Sequence, residues 1–134
     1  MLSTTPKLLP IGGGDDTNDA GMVFVRDFRS VTFVVATTGN ANMTIKFAGS
    51  LTEAKPDIEA AASQTNLWTH VEVVDLQDGS AIDGDTGIAF SGTDGVRMFE
   101  ANVNGLIWFG AHLTARSAGS AEITWVGFTL QSSL

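Results

Sequence analysis

Val96-Arg97-Met98-Phe99-Glu100-Ala101-Asn102-Val103-Asn104-Gly105-Leu106-Ile107-Trp108-Phe109-Gly110-Ala111-His112-Leu113-Thr114-Ala115 is a pair of apolar-rich runs on either side of Asn-Gly. Asn-Gly is the preferred centre of a two-residue type I′ turn, because both central residues must take φ > 0. A hairpin closed there fixes its own register. Val103 then faces Leu106, Ala101 faces Trp108, Phe99 faces Gly110 and Arg97 faces His112 on one side. Asn102/Ile107, Glu100/Phe109, Met98/Ala111 and Val96/Leu113 fall on the other. Large meets small at Trp108/Ala101 and Phe99/Gly110, the complementarity that cross-strand packing requires. The second run is apolar on both faces, whereas an antiparallel strand with one wet face should alternate cleanly. A cover is therefore expected over Leu106 and Trp108, supplied either by the segment around residues 49–65 or by a neighbouring subunit, since open apolar patches of that kind are uncommon on soluble monomers.

The same period of two runs outward from this hairpin. Met22, Phe24, Arg26 and Phe28 alternate with their neighbours, as do Val31, Phe33 and Val35, and Met43, Ile45 and Phe47, with Thr38-Gly39-Asn40 as a turn between the last two runs. Further strands are expected at 67–75, 86–90, 96–103, 106–115 and 121–130. Eight strands separated by turn signals predict an all-β fold, an eight-stranded antiparallel β-sandwich or jelly roll. One short inserted helix is expected at 56–63, with Pro56 at its first position, Asp57 and Glu59 near its N-terminus, and Ile58, Ala61 and Ala62 on one face.

The chain has 134 residues, 43% hydrophobic and 16% charged, which suits one folded domain rather than a disordered chain. The formal charge of −8 repels phosphates, so neither nucleic acid nor an anionic membrane is an expected partner. Without cysteine there is no disulfide, thiolate metal site or Cys nucleophile. Residues 1–11 hold no apolar core of a signal peptide, and no apolar run approaches a membrane span. Residues 1–20 read as a flexible N-terminal arm ahead of a β-sandwich domain at 21–134. Pro6 and Pro10 limit ladder bonding, Gly12-Gly13-Gly14 forms a hinge, and Asp15-Asp16-Thr17-Asn18-Asp19 is a polar leash. Leu2, Leu8, Leu9 and Ile11 give that arm an apolar tip suited to another subunit.

Templates for catalysis fail throughout: no nucleophile elbow, zinc-protease helix or phosphate loop is present. His70 and His112, the two histidines, fall in strand patterns and read as packing or surface residues. The acidic stretch 75–87 departs from a calcium loop, with Gly87 where position five and no Glu at position twelve would be wanted, and reads as turn chemistry. No catalytic residue, cofactor or metal is expected. Trp68, Trp108 and Trp125 with eight Phe read as core or subunit contact rather than as a wet recognition surface, because Tyr, with its polar tip, is missing altogether.

The run Ser50-Leu51-Thr52-Glu53-Ala54-Lys55-Pro56-Asp57, then Asn66-Leu67-Trp68, Val71-Glu72-Val73-Val74-Asp75-Leu76-Gln77-Asp78-Gly79, Ile82-Asp83-Gly84-Asp85-Thr86-Gly87 and Phe99-Glu100-Ala101-Asn102-Val103-Asn104-Gly105 resembles small virion structural proteins of tailed bacteriophages. The likeness covers about residues 21–131. It implies a non-enzymatic capsid decoration (cement) protein with a jelly-roll fold, acting on the outer capsid surface as a homotrimer bound to the phage major capsid protein. Leu2, Leu8, Leu9 and Ile11 of the arm and Leu106, Trp108 and His112 of the doubly apolar strand are then the expected subunit and capsid contacts. The alternative is a phage tail or head-fibre module that recognises host glycans through Trp68 or Trp108, with or without calcium. A sandwich-fold glycosidase is the third reading, and it needs a carboxylate pair in a groove that nothing in the pattern marks.

Overall fold

The structure is a computed structural model describing residues 7–9 and 20–129. Its elements are β1 (Lys7–Leu9), β2 (Ala20–Phe24), β3 (Ser30–Ser50), β4 (Thr69–His70), β5 (Val73–Asp75), β6 (Ala81–Ile82), β7 (Ile88–Ser91), β8 (Val96–Asn102) and β9 (Trp108–Phe128). All are strands and every pairing is antiparallel, as the period-two pattern requires. The expected strands are present but regrouped, and the 22–28 run stops at Phe24, where Val25 to Phe28 turns, the Phe28 N–H donating to the Val25 carbonyl at 2.9 Å. The 31–36 and 43–48 runs are one continuous strand, β3, and the 106–115 and 121–130 runs merge into β9, each 21 residues long. The 67–75 run is instead split into β4 and β5. At Val71 the chain crosses over, its N–H donating to the Phe47 carbonyl at 2.8 Å.

β3 and β9 form a spine, paired from Ser30↔Phe128 to Ser50↔Trp108. The first half of β3 carries β8, then β5 and β6, on its other side, and its second half carries β7 and β4. Thr38-Gly39-Asn40, expected to reverse the chain, kinks it instead. Gly39 and Asn40 adopt φ of 77° and 56°, the register slips between Thr38 and Asn42, and Gly119 of β9 faces the kink with φ of 83°. A Cβ on Gly119 would sit 2.5 Å from the Ala41 Cα, so only glycine admits this approach. Asp94 accepts the N–H groups of Asn40 and Ala41, each at 3.0 Å. Those bonds hold its carboxyl below the usual value of 3.8.

The kink folds the sheet over itself. Phe33 and Phe47 lie on the same strand, yet their ring centroids are 4.6 Å apart. A straight strand would separate them by roughly 46 Å at about 3.3 Å per residue. Phe33 also packs against Phe99 at 5.6 Å and Phe109 at 5.9 Å, and all four rings are fully buried. Val31, Val35, Ile45, Leu113 and Ile123 complete this core from both halves of the spine.

The Asn104-Gly105 hairpin does not form as expected. β8 and β9 lie on opposite sides of β3, so Phe99 pairs with Phe33 rather than Gly110, and Trp108 pairs with Ser50 rather than Ala101. The turn itself exists, with the Leu106 N–H donating to the Val103 carbonyl at 2.9 Å. Gly105 has φ of 94°, but Asn104 is not in the left-handed region. A turn with one positive φ, at its third residue, lacks the twist of a type I′ turn and splays its strands.

The helix expected at 56–63 is also absent; the segment is irregular, with a turn at Ile58-Glu59. Its backbone groups are taken by Asn66 instead. The Asn66 Nδ2 donates to the carbonyls of Asp57 at 2.7 Å and Ala61 at 3.2 Å, while its Oδ1 accepts the Asp57 N–H at 2.9 Å. One helical turn fixes several residues for few bonds, so a competing amide of this kind wins readily.

At the chain's start, β1 pairs Leu9 with Ile123 of β9 and β2 pairs Ala20 with His112. Ten residues separate Leu9 from Ala20 and ten separate His112 from Ile123, so both strands hold one register against β9. Part of the expected arm thus lies along the spine. The remainder, including Leu2 and Ile11, lies outside the described residues.

Candidate functional site

Two outward faces of the folded sheet follow from the alternation along the spine. On one, Lys46, Ala48 and Ser50 of β3 stand beside His112, Gly110 and Trp108 of β9, with Met22 and Phe24 of β2 beyond. This is the second face of the doubly apolar strand, and its cover is the chain's own segment 51–68. Met22, Ala48 and Ile58 form a buried cluster there with Trp68 and Trp108 packed against it. The cover is pinned by side chains. Trp108 Nε1 donates to the Glu53 carbonyl at 3.3 Å, Trp68 Nε1 to the Ala60 carbonyl at 3.2 Å, and Ser50 Oγ to the Leu67 carbonyl at 2.6 Å. Arg26 and Glu53 add an ion pair across its outer edge.

Both indole N–H groups are therefore spent, that of Trp108 on tying the cover to the sheet and that of Trp68 within the cover, and neither ring is fully open to solvent. Leu106, grouped with Trp108 in the sequence, packs instead against the main core. His112 sits farther along β9, beside His70 of β4, with ring centroids 6.0 Å apart. The Trp68 ring stands steeply inclined to both, with its centroid 5.1 Å from that of His70 and 6.2 Å from that of His112. His70 Nε2 and both His112 nitrogens are buried without a hydrogen-bond partner among the described residues. Asp85 Oδ1 lies 3.4 Å from His70 Nδ1, and Lys46 stands opposite His112. Burial, then His70 and Lys46, push the His112 pKa below its usual 6.5.

The acidic stretch 75–87 spends its carboxylates on turns. Asp75 is buried, accepts Arg97 Nε at 2.9 Å and takes the Gln77 N–H at 2.9 Å. Asp78 accepts the Ser80 N–H and hydroxyl, bonds that hold its carboxyl below 3.8, and Asp83 accepts the Asp85 N–H at 2.8 Å. Among the described residues no three of His, Asp and Glu converge on a point where a metal would sit.

The second outward face belongs to the β8–β3–β9 half. Met98 pairs with Val34, Val34 with Thr124, and Thr124 with Leu8 of β1. Leu76 joins the row through its N–H, which donates to the Met98 carbonyl at 3.0 Å. Val96 is 75% exposed, Met98 48% and Leu76 43%, a run of apolar side chains with no covering segment among the described residues. These residues are absent from the contact set expected of the sequence. Their signal is the out-of-phase alternation of Val96, Met98 and Glu100 against Phe99 and Ala101. A hairpin register masks it by placing Met98 opposite Ala111 and Val96 opposite Leu113.

No protein-family model matches this chain, and neither does any curated protein. A solved structure does. The crystal structure of the SPBc2 prophage-derived protein YomS matches with a TM-score of 0.65 over 95% of this chain and 94% of that one, at 10% identity. The two proteins share a fold.

Proposed function

We propose that this chain is a non-enzymatic structural protein of a tailed-phage particle, a decoration protein that cements the head shell. The observation that carries the reading is the exposed apolar row of Leu76, Met98 and Val96 on a body whose other broad sheet face is already covered by its own segment 51–68. An apolar sheet face without a cover suits docking onto a larger surface. The shared fold with a prophage-derived protein supports the setting. A charge of −8 suits an outer surface, away from packaged DNA.

In this reading the folded sheet does the work of a jelly-roll module, the partner is the major capsid protein, and neighbouring copies, arranged as trimers, meet at the capsid seams. A standard contact of about 1,600 Å² then yields binding only as a surplus over association costs, which repetition over a symmetric shell multiplies. The docking surface shifts from Trp108 and His112, whose strand face the chain covers itself, and from Leu106, which packs against the main core, to Val96 and Met98. By register Leu8 stays within it, paired with Thr124 of that face, whereas Leu9 pairs with the buried Ile123.

The test is sedimentation of the purified chain with expanded phage heads. Met98→Glu with Val96→Glu should leave the fold intact and lower occupancy at least tenfold, about 1.4 kcal/mol. Deleting residues 1–11 should weaken attachment more modestly. Undiminished occupancy with the double Glu variant would remove the docking face from the reading.

A further inference from the structure

The chain's two histidines, distant in sequence, meet at the margin of the covered face, and Trp68, the ring that packs beside both, belongs to the cover. We propose that His112, packed beside His70 and Trp68, is a proton-operated latch. A neutral His112 imidazole lets segment 51–68 close over the sheet; its protonation in mildly acid solution loosens that segment and uncovers Met22, Ala48, Ile58 and Trp108.

Packing and charge around the pair give the latch its direction. Three of the four ring nitrogens are buried without a hydrogen-bond partner among the described residues, so a proton added to His112 would bring a charge into a site that offers it no acceptor. From β3 the facing charge is Lys46, of the same sign. From β4 it is His70 itself, and from the 83–87 turn Asp85, which meets His70 on the solvent side. β2 places Ala20 next to His112. The charges of the cover point elsewhere: Glu53 engages Arg26, and Lys55, Asp57 and Glu59 line a groove beside Met22. Among the described residues Asp85 is the carboxylate that meets the pair, and it engages His70 rather than His112.

The sign follows from linkage. His112 binds its proton less readily in the closed form than in a free imidazole, so the open form takes up more protons below about pH 6.5. Closure is fully favoured above that pH and loses its advantage as the pH falls from there toward the depressed value. The equilibrium changes by up to tenfold per pH unit across that window.

Hydrogen exchange of the full chain, corrected for intrinsic rates and followed from about pH 7.5 to about pH 5, reads this directly. Protection of the amides in 51–68 should fall by up to tenfold per unit below about pH 6.5, while the spine amides at 31–35 hold theirs. His112→Gln should flatten the profile. An unchanged cover in the wild-type protein across the whole range would overturn the latch, and so would an identical pH profile in the variant. Should His112→Gln not fold, the wild-type ring resonances serve instead: the proposal requires that His112 protonation and loss of protection at 51–68 share one midpoint, and separate midpoints refute it.

Discussion

A double-mutant cycle between Phe33 and Phe47 measures whether β3 folds onto itself. The two residues are fourteen positions apart on one strand, with ring centroids 4.6 Å apart and an interplanar angle of 41°. Phe→Leu at either site keeps most of the buried volume and removes the ring contact, at a cost of about 1–1.5 kcal/mol for each single variant. The tilted pair is worth a further 0.5–1.5 kcal/mol, roughly, beyond its buried area. The double variant should therefore be less destabilised than the sum of the singles by about that amount. Urea unfolding followed by tryptophan fluorescence reports each value, with an unchanged slope certifying that the unfolded states are comparable. Phe33 also touches Phe99 and Phe109, so a parallel cycle of Phe33 with Leu113, which has no ring to stack, sets the background. Additivity of Phe33 and Phe47 within about 0.3 kcal/mol would refute the fold-over, because residues on a straight strand at that spacing do not couple.

Two further substitutions probe the frame around the spine. Arg97→Ala leaves the Asp75 carboxylate buried without its cation and should cost about 3 kcal/mol by urea unfolding, the lower end for a broken buried pair, since the Arg97 side chain is itself 42% exposed. Asp94→Asn should destabilise the kink and flatten its acid response: a carboxyl held below 3.8 stabilises the fold above that pH and loses the contribution as pH falls beneath it, so thermal melts of the two proteins should converge in acid.

Strand content is legible in the sequence because burial alternates along β3 as the apolar residues do, from Val31 through Phe47. The positions of reversal are not. Gly39-Asn40 and Asn104-Gly105 carry the same chemistry, a tolerance for positive φ, yet one kinks a continuous strand and the other closes a turn whose arms diverge. What decides between these outcomes is tertiary: Gly119 and Asp94, both far along the chain from Asn40, hold the kink. The cover over Trp108 follows from the pattern as one of two possibilities, since a doubly apolar strand demands one. The helix within it does not form because Asn66, outside the helical window, competes for its backbone groups. The His70–His112 pairing has no local signal at all, as β4 and β9 meet only through β3.

The pairing of Ser30 with Phe128 bears on synthesis as well as stability. A spine whose outermost pair is separated by most of the chain cannot close as a hairpin between neighbouring strands, and such non-local topologies assemble slowly. On the ribosome, β4, β7 and β8 reach β3 before β9 does, and the flank of β3 that β9 covers stays open to other chains in the meantime. Translation speed and chaperone supply would then bear on how much of this protein reaches its native form.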